Sequence, residues 1–144
     1  MDAKRIVMGI YGILAVLILL SSSSFGATKC VNTGGTGGCY SSIQTAINIA
    51  ATDDTVEVWA GTYTEPVSIG KKITLRTKGY ENTIIMPAAG NAVTFVTGSS
   101  DAKIVGFKIE APAGIGICCD RQNVSIWVEN CVIQNCSDIG LYFR

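Results

Sequence analysis

From residue 55 to residue 144 the apolar residues come only in short alternating runs. Val56 and Val58 alternate with Thr55 and Glu57, and Val67 with Ile69 makes a second short alternation. Ile73 and Leu75, Ile84-Ile85-Met86, Val93 and Phe95, and Ile104, Phe107 and Ile109 follow. Ile115 and Ile117, then Val124, Ile126 and Val128, then Cys131 and Ile133, then Leu141 and Phe143 complete the series. A period of two places alternate side chains on opposite faces of a strand. Nearly every boundary between these runs holds Gly, Asn, Asp, Pro or Ser, the residues that turn a chain. Strands this short are ill suited to an ordinary sandwich. They have a longer rhythm instead. The steps from Val93 to Ile115, Ile85 to Phe107 and Ile104 to Ile126 are equal, and those from Phe107 to Cys131 and Ile109 to Ile133 are two positions longer.

A repeat of roughly 20–26 residues with three short strands is one coil of a single-stranded parallel β-helix, an all-β fold with stacked apolar side chains inside. Leucine-rich repeats share the period, but their leucine-asparagine pattern is absent. An eight-stranded sandwich is the competing architecture. Residues 55–144 are read as three to four coils.

Ahead of the coils the period changes. Ile43, Ala46, Ile47 and Ala50 stand at i, i+3, i+4 and i+7, one face of a short helix of about ten residues. Ser41 with Gln44 reads as a capping box at its start. Such a helix is unstable alone. The first coil of a solenoid, however, exposes an apolar end and open strand edges, and a helix can cover them. Residues 28–54 are therefore a cap, and residues 28–40 within it a loop. No counterpart follows Gly140-Leu141-Tyr142-Phe143-Arg144. The expectation is an N-terminal fragment of a longer β-helix, or a chain that associates end to end through its last coil.

The segment 1–27 has a separate logic. Lys4 and Arg5 precede an apolar run from Ile6 to Leu20, then Ser21 to Ser24 and Phe25-Gly26-Ala27. That order reads as a secretory signal peptide, cleaved after Gly26 or Ala27, with a retained membrane anchor as the competing reading. The expected location is secreted or cell-envelope, with no membrane contact after cleavage. Residues 1–27 are assigned to the leader, and the remainder holds 9 basic and 10 acidic side chains. A near-neutral chain gives no electrostatic reason to bind nucleic acid.

All six cysteines lie beyond the leader, which suggests disulfides in an exported chain. Cys30 and Cys39 bracket Gly34-Gly35-Thr36-Gly37-Gly38 and are the expected pair; Cys118, Cys119, Cys131 and Cys136 stay unassigned. There is no histidine and no CxxC, so neither a metal site nor a cofactor is expected.

One segment resembles a known group. Tyr40-Ser41-Ser42-Ile43-Gln44-Thr45-Ala46-Ile47 leads through Asp53-Asp54-Thr55-Val56 to Val58-Trp59-Ala60-Gly61-Thr62-Tyr63-Thr64-Glu65, with Val67, Ile69 and Lys72-Ile73-Thr74-Leu75 after it. This resembles the start of the pectin-lyase-like right-handed parallel β-helix proteins, in which such a segment forms the N-terminal helix and first coil. Asp53-Asp54 stands where Gly-Asp is usual. Asn130-Cys131-Val132-Ile133-Gln134-Asn135 is similar to their later coils. The resemblance covers roughly residues 37–144 and implies a right-handed coil in which Gly61 and Tyr63 are structural. It says little of activity, because that superfamily holds enzymes and non-enzymes alike.

Chemistry is hard to find in the residues themselves. Inverting hydrolysis wants two carboxyl groups about 6.5–9.5 Å apart. Lyase chemistry wants calcium-binding carboxylates and a basic proton acceptor. Glu81, Asp101, Glu110, Asp120, Glu129 and Asp138 are the candidate acids, and no two make a convincing pair. Asp120-Arg121 is the one acid-base doublet in the repeats, with a solvated turn as its ordinary reading. Trp127 points opposite to Ile126 and Val128, so if those two are core it is exposed. Trp127 and Trp59 are candidate platforms for a sugar ring. Asn123, Asn130 and Asn135 are turn formers. The functional expectation is a non-catalytic surface module that binds a polysaccharide or a surface protein. The alternative is the N-terminal part of a polysaccharide lyase, hydrolase or esterase.

Overall fold

The computed structural model describes residues 26–79, 82–122 and 124–144. Residues 1–25, on which the expected signal peptide falls, and Glu81 and Asn123 lie outside the described residues.

Four coils follow one another. The first holds β2 (Thr55–Val58), β3 (Gly61–Tyr63) and β4 (Val67–Ile69), and the second β5 (Thr74–Thr77), β6 (Thr83–Ile85) and β7 (Val93–Phe95). The third holds β8 (Ala102–Val105), β9 (Lys108–Glu110) and β10 (Ile117–Cys119), and the fourth β11 (Ile126–Glu129), β12 (Val132–Gln134) and β13 (Leu141–Phe143). Ahead of the coils lies β1 (Thr28–Val31). Each coil strand pairs in parallel with its counterpart one coil away, which makes three sheets: β1-β2-β5-β8-β11, β3-β6-β9-β12 and β4-β7-β10-β13. The fold is an all-β, right-handed parallel β-solenoid with a short N-terminal capping helix.

Inward positions stack from coil to coil. Val56, Leu75, Ile104 and Val128 form one row, and Tyr63, Ile85, Ile109 and Ile133 another. Ile69, Phe95, Cys119 and Phe143 form a third. Each large apolar side chain fully buried in these rows contributes roughly 1.5–3 kcal/mol. Three of the spacings read from the sequence are corrected. Ile85 pairs with Ile109, Val93 with Ile117 and Ile104 with Val128, each partner two positions beyond the one expected. A slip of two residues leaves every side chain on its own face, so periodicity alone could not detect it.

The cap differs from expectation in its loop and in its helix. Residues 28–40 are not all loop: Thr28–Val31 adds a parallel strand to the outer side of β2, in register from Thr28 opposite Thr55 to Val31 opposite Val58. The helix α1 spans only the seven residues Ile43–Ile49, and its N-cap is Ser42, not Ser41. Ser42 has extended backbone, and its hydroxyl accepts from the Thr45 amide at 3.1 Å. Ile43, Ala46 and Ile47 are buried where α1 meets β1, β2 and β4. Gln44 does not close a capping box. Its carbonyl accepts from the Ser68 amide at 2.7 Å and its amide donates to the Ser68 carbonyl at 3.2 Å, so one side chain satisfies the open edge of β4.

Cys30 and Cys39 are joined by a disulfide. At the opposite end, the edge is formed by β11, β12 and β13, where Val132, Leu141 and Phe143 are exposed.

Candidate functional site

Charged and aromatic side chains converge on the outer face of the five-stranded sheet. Its geometry follows from the register. Val56, Leu75 and Ile104 point inward, so their neighbours in each strand must point out. One outward row is Thr55, Thr74, Lys103 and Trp127; the next is Glu57, Arg76, Val105 and Glu129. Together with Thr77 and Lys78, residues of these rows line an open groove of about 560 Å³.

The charges in the groove are paired across strands. Arg76 Nη2 lies 2.7 Å from Glu57 Oε2, and Lys103 Nζ lies 3.6 Å from Glu129 Oε1. The two tryptophans stand at diagonal corners. Lys78 Nζ sits 3.7 Å from the centre of the Trp59 ring, and Lys103 Nζ 5.2 Å from that of Trp127. Both distances fall within cation–π range. Trp127 is 51% exposed and Trp59 38%, so each keeps ring surface open to solvent. Three strand spacings and four steps along a strand separate them, roughly 19 Å. Such a span suits a ligand several units long.

Catalytic arrangements fit this face poorly. Glu57 and Glu129 share a row three strands apart, about 14 Å, beyond the separation that hydrolysis uses. Each also has a cation beside it. Among the described residues no three His, Cys, Asp or Glu side chains lie close enough to hold a metal ion.

The other sequence candidates scatter. Asp120 is 3.8 Å from Arg144 rather than paired with its neighbour Arg121, and both partners are well exposed. Glu110 bonds Lys108 at 2.8 Å and accepts from the Gln134 amide at 3.0 Å on the outer face of the β3-β6-β9-β12 sheet. The Lys108 hydrogen bond holds its carboxyl below the usual carboxylate range. Tyr63 is buried, donates to the Trp59 carbonyl at 3.0 Å, and has its phenol pushed up by burial and by Glu65. A Cβ on Gly61 would stand 2.6 Å from the Thr33 methyl. Asn130 and Asn135 adopt left-handed backbone, as turn formers do. Cys118, Cys119, Cys131 and Cys136 carry free thiols. Burial pushes the Cys118 and Cys131 thiols up, which makes them poor nucleophiles.

Arg76, Lys78 and Lys103 were not singled out from the sequence. Their signal was there in principle, since all three belong to outward positions of strands or the residue after one. Recognising that they meet required the register.

No protein-family model matches the chain, and no curated protein matches it. Among solved structures there is a likeness to a mutant of the PL6 family alginate lyase AlyGC. The chain shares its fold with part of a polysaccharide lyase. The superposition has a TM-score of 0.53 at 16% sequence identity and covers 74% of this chain. This chain matches only 15% of the length of that enzyme.

Proposed function

We propose that the chain is an exported, non-catalytic β-helix module that binds a polysaccharide along the outer face of its five-stranded sheet. The observation that carries this reading is the groove lined by Arg76, Lys78 and Lys103, with the exposed Trp59 ring against Lys78 and the exposed Trp127 ring against Lys103. A sugar presents C–H groups on its ring faces and hydroxyls at its edges. Exposed indole rings suit the first, and the charged side chains of the groove suit the second. Export is supported by the basic, apolar and small-residue order of residues 4–27 and by the Cys30–Cys39 disulfide, a bond favoured in oxidising compartments.

The test is calorimetric titration of the folded chain with soluble neutral and acidic polysaccharides. Binding to at least one class, weakened about tenfold by Trp127→Ala and by Trp59→Ala, is the expected result; tenfold corresponds to about 1.4 kcal/mol. Absence of binding to every class, or binding indifferent to both substitutions, would sink the reading.

A second reading, the N-terminal part of a polysaccharide-active enzyme, is supported by the likeness to the alginate lyase. Chain cleavage with unsaturated sugar ends, observed with the described coils alone, would favour it over the binding module.

A further inference from the structure

Asp54 is the one charged residue buried among the described residues, at 5% exposure. Its carboxylate accepts from two backbone amides, Ala27 at 2.7 Å on Oδ1 and Ala51 at 2.9 Å on Oδ2. No lysine or arginine is in ion-pair contact with it among the described residues. The nearby cations are engaged elsewhere. Lys72 bonds Asp53 at 2.9 Å, and Lys71 donates to the carbonyls of Asn48 and Ala50. Buried charges are ordinarily paired, because desolvation without a countercharge is costly.

Ala27 is held from both sides. Its amide meets Asp54, and its carbonyl accepts from the Thr55 amide at 2.9 Å, where β1 begins to pair with β2. Gly26 passes so close to the Asp53 carbonyl that a Cβ would collide with it. Cleavage after Ala27 would remove both Ala27 contacts and leave Asp54 with a single amide. It would also put Phe25 at the third position before the cut. A cut after Gly26 puts Ser24 there instead, in keeping with the small residues that leader cleavage requires.

We propose that the leader is removed between Gly26 and Ala27, and that the new Ala27 α-ammonium is the countercharge of buried Asp54. Water adds across the peptide bond under a leader-removing protease. Its hydroxyl goes to the Gly26 carbonyl carbon and its hydrogen to the Ala27 nitrogen. At neutral pH the released leader ends in a carboxylate, and the Ala27 nitrogen carries the third proton. A neutral amide donating to the Asp54 carboxylate thereby becomes a full ion pair, in which both partners carry charge. Processing would then complete the cap, so that the mature chain is better anchored than its precursor. This inference rests on the export reading above.

The test is to express the full chain in an exporting bacterial host and to determine the N-terminus of the exported protein by intact mass and terminal sequencing. Ala27 is the expected first residue; an exported protein beginning elsewhere overturns this proposal alone. A chain kept unprocessed in the membrane overturns the export reading together with it. In the processed protein, an NMR titration of the Ala27 α-amino group should give a midpoint at least one pH unit above the ordinary range of about 7.7–8.0. Asp54→Asn should return it to that range. A wild-type midpoint within the ordinary range overturns the ion pair whether or not the variant folds.

Discussion

Glu65 Oε1 accepts a hydrogen bond from the Ile43 amide at 2.6 Å, although the two lie far apart in the chain. Its other oxygen accepts from the Ser42 hydroxyl at 2.7 Å and from the Gln44 amide at 3.3 Å. The first coil thus supplies the carboxylate that stabilises the first turn of the helix covering it. Cap and coil are one cooperative unit, because neither end of the bond is in place without the other.

Replacing Glu65 by Ala should therefore destabilise the fold by about 2 kcal/mol, with Glu65→Gln intermediate. Reversible urea unfolding checks this. Equal stability of wild type and alanine variant would show that the helix is held by its apolar face alone.

Ile47 lies at the centre of that face at 1% exposure. Ile47→Asp combines lost apolar burial with an unpaired buried charge, and should cost about 4 kcal/mol or prevent folding. Thr62→Ala, on the exposed side of β3, should stay within about 0.5 kcal/mol. Thermal melts that do not separate the two variants would refute the capping role of α1.

Asn130 has φ 52° and occupies the corner held one coil earlier by Gly106, with φ 85°. The left-handed conformation is open to Asn and Gly but strained for a β-branched side chain. Asn130→Val should cost about 1–2 kcal/mol and Asn130→Gly much less. Denaturation midpoints in that order confirm that conformation, rather than a side-chain contact, selects the residue.

The carboxyl of Glu110 is held low by Lys108. A depressed folded value means that Glu110 contributes stability above its unfolded value, and that this is lost as the pH falls through the folded value. Lys108→Ala should raise the Glu110 titration midpoint in an NMR experiment and flatten the acid side of the stability profile slightly. The change should be at most about 0.5 kcal/mol, since Lys108 is partly exposed and the pair is screened by solvent. An unmoved midpoint would mean that Asn135 and Gln134, not Lys108, hold the carboxyl low.

Much of the fold was legible without coordinates because alternation is a local property. Val56 and Val58 must share a face wherever the strand goes, and Trp127 must oppose Ile126 and Val128. The helix was legible for the same reason, down to the buried set Ile43, Ala46 and Ile47. Its exact start is not legible, because Ser41 and Ser42 are equivalent to a local rule. What separates them is Glu65, which reaches the Ser42 hydroxyl from the next element.

The groove was decided only in three dimensions. Thr74 pairs with Thr55 behind it and with Lys103 ahead of it, and Lys103 pairs in turn with Trp127. The step from Thr74 to Lys103 is the longest of the three and the step from Thr55 to Thr74 the shortest. Those unequal steps come from loops of different length, and no single period could align them. Sequence alone determined which face each side chain would take. Tertiary structure decided which of them became neighbours, because contact between coils depends on loop lengths and on backbone hydrogen bonds that no short stretch of chain contains.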